Sequence, residues 1–145
     1  MNYNILLADD DSDDCLFFQE ALSELKIKSQ LTVVNDGVEL MQYLAKTVAP
    51  LPDALFLDLN MPKKSGGECL SEIQSIPRFQ PLPVIIFSTS FDPQVIAKLY
   101  SHGANYYIRK PGDFEVLKQL VSEALRRVTQ NKLVRPELHN FVIQP

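Results

Sequence analysis

The sequence predicts an α/β fold in which five parallel strands form one doubly wound sheet with helices on both faces. Five short apolar runs alternate with longer segments whose apolar residues recur at helical spacing. Most of the runs are nearly continuous in apolar character, as expected for strands that are buried on both faces. Successive βα units imply a parallel sheet. The expected arrangement is the flavodoxin-like strand order 2-1-3-4-5, with a functional crevice at the carboxyl ends of the strands.

The elements follow one another without an internal repeat or a linker before residue 129. The predicted strands are YNILLA (3–8), QLTVVN (30–35), DALFLD (53–58), PVIIFS (83–88) and NYYIRK (105–110). Four helices are indicated by apolar faces made of Phe18, Ala21, Leu22 and Leu25; Met41, Leu44, Ala45 and Val48; Val95, Ile96 and Leu99; and Phe114, Leu117, Val121, Ala124 and Val128. A shorter helix spans about 66–76, and Pro77 ends it. We expect one domain over 1–128 and a C-terminal extension over 129–145.

Composition argues against several classes of function. The chain of 145 residues has a net charge of −4 and a pI of about 5.1, so it lacks the basic surface of a nucleic-acid-binding protein. No segment approaches the roughly 18 consecutive apolar residues of a membrane span, and MNYNILLA lacks the basic start of a signal peptide. Cys15 and Cys69 are isolated and form neither a disulfide framework nor a metal-binding spacing. We therefore expect a cytoplasmic protein with no membrane or nucleic-acid partner.

An acidic cluster follows the first strand, in the segment ILLADDDSDD (5–14). Asp9, Asp11, Asp13 and Glu20 fall at positions 1, 3, 5 and 12 of a calcium-binding EF-hand loop. The match fails on physical grounds, because Asp14 occupies the position that requires glycine and a strand precedes the loop instead of a helix. The acids are therefore not explained by an EF-hand.

Part of the cluster is explained by the start of the first helix. Side-chain oxygens of serine and aspartate accept hydrogen bonds from the free amides at a helix N-terminus and interact favourably with the helix dipole. We expect Ser12, Asp13 or Asp14 to cap this helix, and Asp11 to be a solvated acid.

The remaining acids lie where several strands end. In the predicted strand order, residues just after strands 1, 3, 4 and 5 share one edge of the sheet: Asp9, Asp10, Asp58, Ser88 and Lys110. Three carboxylates at one edge require a hard divalent cation, and oxygen ligands with remaining water describe Mg²⁺ best. Because Mg²⁺ usually works with a phosphate, this edge points to phosphoryl chemistry on a carboxylate.

The other residues at this edge suit that chemistry. Asp58 is a candidate nucleophile, since a carboxylate can attack phosphorus and form an aspartyl phosphate. Lys110 supplies a point cation for a phosphoryl oxygen. Ser88 supplies a hydroxyl donor.

With these motifs in place, the chain resembles the receiver domain of bacterial two-component response regulators over about residues 3–128. The resemblance is carried by the pair Asp9-Asp10, LDLNMPKKSGGE (57–68), PVIIFSTS (83–90) and GANYYIRKP (103–111). LLADDDSDD followed by LDLNMPKKSG is also similar to a narrower subgroup, the single-domain receivers related to those that partner bacterial phytochrome kinases.

The resemblance implies a phosphoacceptor and a metal site. Asp58 would take a phosphoryl group from the phosphohistidine of a sensor histidine kinase or a phosphotransfer protein. Asp9 and Asp10 would hold Mg²⁺ together with Asp58 and the backbone carbonyl of Asn60.

The resemblance also implies phosphoryl contacts and a switch. Ser88 and Lys110 would contact the phosphoryl group. Tyr107 matches the aromatic switch residue, which turns inward when the Ser88 hydroxyl moves toward the phosphate. Asn60 and Ser90 occupy the positions that tune the rate of dephosphorylation. Ser65 replaces an acid common in the family, and we interpret it as a helix cap.

Three functions follow from this interpretation. The first is a phosphorylation-dependent switch that changes a partner-binding face formed by the fourth helix, the fifth strand and the fifth helix. The second is a phosphatase that uses an aspartyl-phosphate intermediate, which is disfavoured because Asn60 stands where such enzymes have a second acid. The third is a binding module that keeps the acidic pocket but works without phosphorylation.

The C-terminal extension is too short for a DNA-binding domain, so we expect a stand-alone regulator with an output protein that the sequence does not identify. Its apolar residues are Leu133, Val134, Leu138, Phe141, Val142 and Ile143. They favour a segment that packs on the domain or crosses a homodimer interface, and the alternative is a partly ordered extension.

Overall fold

Five parallel strands form the central sheet in the order β2-β1-β3-β4-β5, which confirms the predicted topology. The computed structural model describes residues 2–48, 50–130 and 134–145. The strands are β1 (Asn2–Ala8), β2 (Lys28–Val34), β3 (Ala54–Leu57), β4 (Val84–Ser88) and β5 (Tyr106–Arg109). The α-helices are α1 (Ser12–Glu24), α2 (Gly37–Lys46), α3 (Gly66–Ser75), α4 (Pro93–Ser101) and α5 (Phe114–Gln130). Short 3₁₀ helices span Pro77–Phe79 and Leu138–Asn140.

The sheet is buried on both faces because its central strands direct apolar side chains to both sides. In β1, Leu6 and Ala8 pack into one hydrophobic cluster while Ile5 and Leu7 pack into the other. The first cluster includes residues from α2, α3 and α4, and the second includes residues from α1 and α5. This two-sided burial explains why the strands are nearly continuous apolar runs.

The helix starts follow capping chemistry, with one correction to the sequence-based expectation. The N-cap of α1 is Asp11, whose side chain accepts hydrogen bonds from the amides of Asp13 and Asp14 at 2.9 and 3.0 Å. The expectation of a cap at Ser12, Asp13 or Asp14 was wrong, because the helix begins at Ser12 and the cap must precede it. Ser65 caps α3 as expected.

The second helix is shorter than its apolar pattern predicts. The amide of Thr47 donates to the carbonyls of both Tyr43 and Leu44, at 3.1 and 3.2 Å, which tightens the last turn and ends α2 at Lys46. Val48 lies beyond this end and is 91% exposed. The prediction that Val48 belongs to the buried face of the second helix was therefore wrong.

The sequence alternation also predicts that one of the two tyrosines of β5 faces outward, and this was wrong. Tyr106 and Tyr107 are both buried. Tyr106 packs in the cluster that contains α1 and α5, and Tyr107 packs in the opposite cluster with Phe141 of the C-terminal extension. Both faces of the edge strand are therefore covered.

The C-terminal extension packs on its own domain through Phe141 and Ile143, which are buried. Leu133, one of the apolar residues singled out in the sequence, lies outside the described residues. Among the helices described, none is both long enough and apolar enough to cross a membrane.

Candidate functional site

The site lies at the carboxyl ends of β1, β3, β4 and β5, where backbone hydrogen bonds continue past the strand ends. The amide of Asp9 donates to Val34 O, and the amide of Asp58 donates to Ala8 O, both at 3.0 Å. The amide of Lys110 donates to Ser88 O at 2.9 Å. These bonds fix the backbone of the candidate site residues relative to the sheet.

Asp9, Asp10 and Asp58 form the carboxylate cluster that the sequence predicts. One carboxylate oxygen from each of the three residues lies within 4.8 Å of those of the other two. Asp9 and Asp58 are buried, whereas Asp10 is exposed at the rim. Two carboxyl groups are thus withdrawn from water beside a third that faces it.

Lys110 inserts its ammonium group into this cluster. Its Nζ atom lies 2.7 Å from Asp9 Oδ2, 2.9 Å from Asp14 Oδ2 and 3.3 Å from Asp58 Oδ2. Nζ also lies 5.5 Å from the centroid of the Phe87 ring. The lysine therefore supplies a compact positive charge directly beside the candidate nucleophile.

The electrostatics of the site follow from burial and from these contacts. Burial raises the pKa of the Asp58 carboxyl to about 6; Lys110 lowers it and Asp9 raises it further. Burial acts to lower the pKa of Lys110, but hydrogen bonding to Asp9 and Asp14 and the charge of Asp58 outweigh it and raise the pKa overall. Near neutral pH, Asp58 is thus mostly ionised and Lys110 is charged.

The donor set fits a hard divalent cation. Oδ2 of Asp9 is buried, and within the described parts of the chain its charge is met only by the Lys110 ammonium, whose Nζ atom lies 2.7 Å away. The exposed carboxylate of Asp10 leaves one side of the cluster open to water. A buried acceptor with spare capacity, next to two further carboxylates, is the arrangement that Mg²⁺ binds with part of its hydration shell kept.

Ser88 and Tyr107 are linked through the loop that follows β4. The Ser88 hydroxyl is buried and accepts a hydrogen bond from the amide of Ser90 at 3.2 Å. The Tyr107 hydroxyl donates to the carbonyl of the same residue, Ser90. Burial raises the pKa of the Tyr107 phenol, and the nearby Ser88 hydroxyl offsets part of this effect. The two predicted switch residues are therefore connected through Ser90.

Tyr107 has its side chain fully buried in this structure. The resemblance predicts that this residue turns inward when the Ser88 hydroxyl moves toward a phosphate. In this structure the Tyr107 ring points inward although the Ser88 hydroxyl is bonded to the amide of Ser90. The ring of Phe141, from the C-terminal extension, lies beside the Tyr107 ring, with centroids 6.3 Å apart. The inward orientation of Tyr107 is thus found together with a contact from the C-terminal extension.

The loop after β3 carries Asn60 and brings α3 close to the nucleophile. Asn60 is exposed at the rim, two residues beyond Asp58. Gly66 donates its amide to Leu59 O at 2.9 Å, and a Cβ atom at Gly66 would lie only 2.1 Å from the carbonyl oxygen of Asp58. Only glycine permits this approach, so α3 begins directly against the backbone of the candidate phosphoacceptor.

The contact between Asp14 and Lys110 was not predicted from the sequence. Asp14 was expected to cap α1, but the first turn of α1 directs this carboxylate toward the lysine, 96 positions away in the sequence. The acidic cluster was visible in the sequence, whereas the choice of which acid contacts Lys110 depends on where α1 packs.

Comparisons with known proteins identify relatives over most of the chain. Residues 5–122 match the sequence model of the family described as response regulator receiver domain. The response regulator Rcp1 of Synechocystis sp. is 32% identical over 81% of this chain and 82% of its own length. The matched family region contains every candidate site residue described above.

Solved structures give the same result for the fold. The Mn²⁺-bound form of the response regulator Rcp1 superposes with a TM-score of 0.76 at 29% identity, covering 93% of this chain and 99% of that one. The phosphorylated cyanobacterial phytochrome response regulator RcpA superposes with a TM-score of 0.79 at 33% identity, covering 94% of this chain and 100% of that one. One relative has thus been observed with a bound divalent metal and another with a phosphoryl group.

Proposed function

Since the chain belongs to the response regulator receiver domain family, whose members are phosphoacceptor modules of phosphorelay signalling and not enzymes, we propose that it accepts a phosphoryl group on Asp58. Receiver domains pair with histidine kinases, and we infer that the donor is the phosphohistidine of a sensor histidine kinase or of a phosphotransfer protein. Because RcpA is described as a phytochrome response regulator, a phytochrome-type kinase is the first donor to test. We infer a cytoplasmic location, where such a donor would meet this domain.

The observation that carries the proposal is the convergence of Asp58, Asp9 and Lys110. In the transfer step, an ionised Asp58 oxygen attacks phosphorus, a new P–O bond forms and the P–N bond to the donor imidazole breaks. The imidazole leaves with the bonding electron pair and is protonated. We propose that Lys110, whose Nζ lies 3.3 Å from Asp58 Oδ2, binds a phosphoryl oxygen and that Ser88 supplies a hydroxyl donor.

Asp9, Asp10 and Asp58, with the backbone carbonyl of Asn60, are the residues that we propose hold Mg²⁺. When bound, the cation neutralises charge on the phosphoryl oxygens. Without a cation, three carboxylates close together repel an incoming phosphoryl group, and Lys110 is already engaged by Asp9 and Asp14 at 2.7 and 2.9 Å. We therefore expect phosphorylation to require the metal.

The signalling step that we propose passes through Ser88 and Tyr107. If the Ser88 hydroxyl turns to a phosphoryl oxygen, it gives up the amide of Ser90, whose carbonyl accepts the Tyr107 hydroxyl. The change would shift the equilibrium of a partner-binding face formed by α4, β5 and α5 together with the C-terminal extension, which bonds the backbone of Tyr107 on β5. We propose that this face contacts the output protein or a second copy of the chain. Asn60 and Ser90, both exposed at the rim, would tune dephosphorylation.

The test is intact mass after incubation with acetyl phosphate, with and without Mg²⁺. We expect a single phosphoryl adduct that requires Mg²⁺ and is absent in Asp58→Asn. Asp53→Asn is the matched control, because Asp53 lies at the opposite end of β3, where its side chain accepts a hydrogen bond from the Asn4 amide at 2.7 Å. It should be labelled like the wild type. Absence of an adduct in a protein shown separately to bind Mg²⁺ would contradict the proposal and favour a phosphorylation-independent binding module.

A further inference from the structure

The C-terminal extension pairs with the edge strand β5 at Tyr107. The amide of Tyr107 donates to Phe141 O at 3.0 Å, and the amide of Ile143 donates to Tyr107 O at 2.9 Å. Together they form a parallel bridge between Tyr107 and Val142. Both backbone polar groups of the candidate switch residue are therefore bonded to the extension.

Side chains of α4 and α5 also contact this part of the extension, residues 136–143. The Tyr100 hydroxyl of α4 donates to Pro136 O at 2.7 Å, and the guanidinium of Arg127 of α5 donates to Asn140 O at 3.3 Å. The Phe141 ring packs edge-on against Tyr100, with centroids 5.2 Å apart, and is fully buried. The segment is thus docked by contacts on both sides of β5.

Tyr107 contacts the segment on one side and the phosphorylation-site loop on the other. Its ring lies beside Phe141 and also beside Phe91, with centroids 6.3 Å apart in each case. Its hydroxyl bonds Ser90, whose amide bonds the Ser88 hydroxyl. The Tyr107 side chain is therefore in contact both with the loop that bonds Ser88 and with Phe141 of the segment 136–143.

We propose that docking of residues 136–143 holds Tyr107 in its inward orientation and is thereby coupled positively to phosphorylation of Asp58. The inference rests on the function proposed above, in which phosphorylation favours the inward orientation of Tyr107. Phe141 occupies the space beside the ring, so the ring is confined while the segment is docked. By reciprocity, phosphorylation strengthens docking by the same factor by which docking favours phosphorylation.

The first test is amide hydrogen exchange at Ile143 and Tyr107, with Mg²⁺ and beryllium fluoride as a mimic of the phosphoryl group. Coupling between two sites typically amounts to about 5- to 150-fold, so we expect exchange at both amides to slow by at least about fivefold. Unchanged exchange in a protein that binds beryllium fluoride overturns the coupling. If the protection of these two amides from exchange depends on protein concentration, the segment docks on a second copy of the chain, and the intramolecular arrangement is overturned.

The second test is the dissociation constant of beryllium fluoride, measured with Mg²⁺ present in variants of the segment, because reciprocity holds for binding equilibria. Phe141→Ala should raise the dissociation constant by at least about fivefold, and Leu138→Ala, at an exposed position of the same segment, should leave it unchanged. Tyr100→Phe removes only the hydroxyl that bonds Pro136 and keeps the ring, so it should raise the dissociation constant less while the protein stays folded. Wild-type dissociation constants in both Phe141→Ala and Tyr100→Phe overturn the inference.

The two proposals fail in distinguishable ways. If the wild type forms the Asp58 adduct but the variants bind beryllium fluoride as tightly as the wild type does, the function stands and the coupling falls. If the wild type forms no adduct and does not bind beryllium fluoride, both fall.

Discussion

Ionisation of Asp58 is expected to destabilise the metal-free protein. Burial raises the pKa of this carboxyl to about 6 in the folded state, against 3.8 for an unperturbed aspartate. Between these values the folded protein binds more protons than the unfolded chain, so stability falls as pH rises. The favourable contribution is fully present below about pH 4 and is lost once the pH passes about 6. Asp58→Asn, which stays neutral, should remove this pH dependence.

The expected size follows from the difference between the two pKa values. A difference of about two corresponds to about 3 kcal/mol in the free energy of unfolding. In a protein of this size, 1 kcal/mol shifts the Tm by about 2–4 °C, so Asp58→Asn should raise the Tm by about 6–12 °C at high pH. Near pH 4 the variant and the wild type should unfold at similar temperatures.

The assay is thermal unfolding followed by circular dichroism between about pH 4 and about pH 8, with a chelator present. Asp10→Asn is the matched control, because it neutralises an exposed acid of the same cluster. Asp58 stays buried in this variant, so the variant should keep the fall in stability near pH 6 that Asp58→Asn removes. Adding Mg²⁺ should stabilise the wild type more than Asp58→Asn, because ligands that bind the folded state raise stability. A difference between wild type and Asp58→Asn that stays constant across this pH range would refute the reasoning.

Three further predictions concern the groups around the nucleophile. Ser65→Ala removes the capping box of α3 and should lower the free energy of unfolding by about 1 kcal/mol in urea titrations. Gly66→Ala places a Cβ atom against backbone and should both destabilise the protein and slow labelling by acetyl phosphate; Gly67→Ala, whose Cβ would have its nearest neighbour at 4.0 Å, should do neither. Lys110→Met leaves buried carboxylates without their cation and should cost about 3–5 kcal/mol near neutral pH, with a smaller loss in acid, as measured by denaturant unfolding.

The positions of Asp9, Asp58, Ser88 and Lys110 follow from the sequence because they depend only on strand order. Each residue ends a strand or follows one directly, and a parallel sheet places those ends at one edge. The strand runs are identified by nearly continuous apolar character, so an error of one or two residues at their bounds does not move the site.

The contacts that the sequence did not predict depend on packing between distant elements. Lys110 contacts Asp14 because of where α1 sits on the sheet, and no local pattern contains that information. Tyr106 and Tyr107 are both buried, because Tyr106 packs with α5 on one face of β5 and Tyr107 packs with Phe141 on the other, although strand alternation alone suggested that one tyrosine faces outward. The extension was recognisable from its apolar content, but its pairing with β5 could not be read from composition.

The pairing of the extension with β5 also decides how the sheet avoids self-association. The two edges of the sheet are β2 and β5, and an open edge offers unpaired amides and carbonyls to another chain. β2 carries the exposed charge of Lys28, and a lysine on an edge strand discourages strand addition. β5 is apolar at Tyr106, Tyr107 and Ile108, and the extension supplies its protection instead. A chain shortened to residue 128 should therefore aggregate more readily than the full chain, even if its phosphorylation chemistry survives.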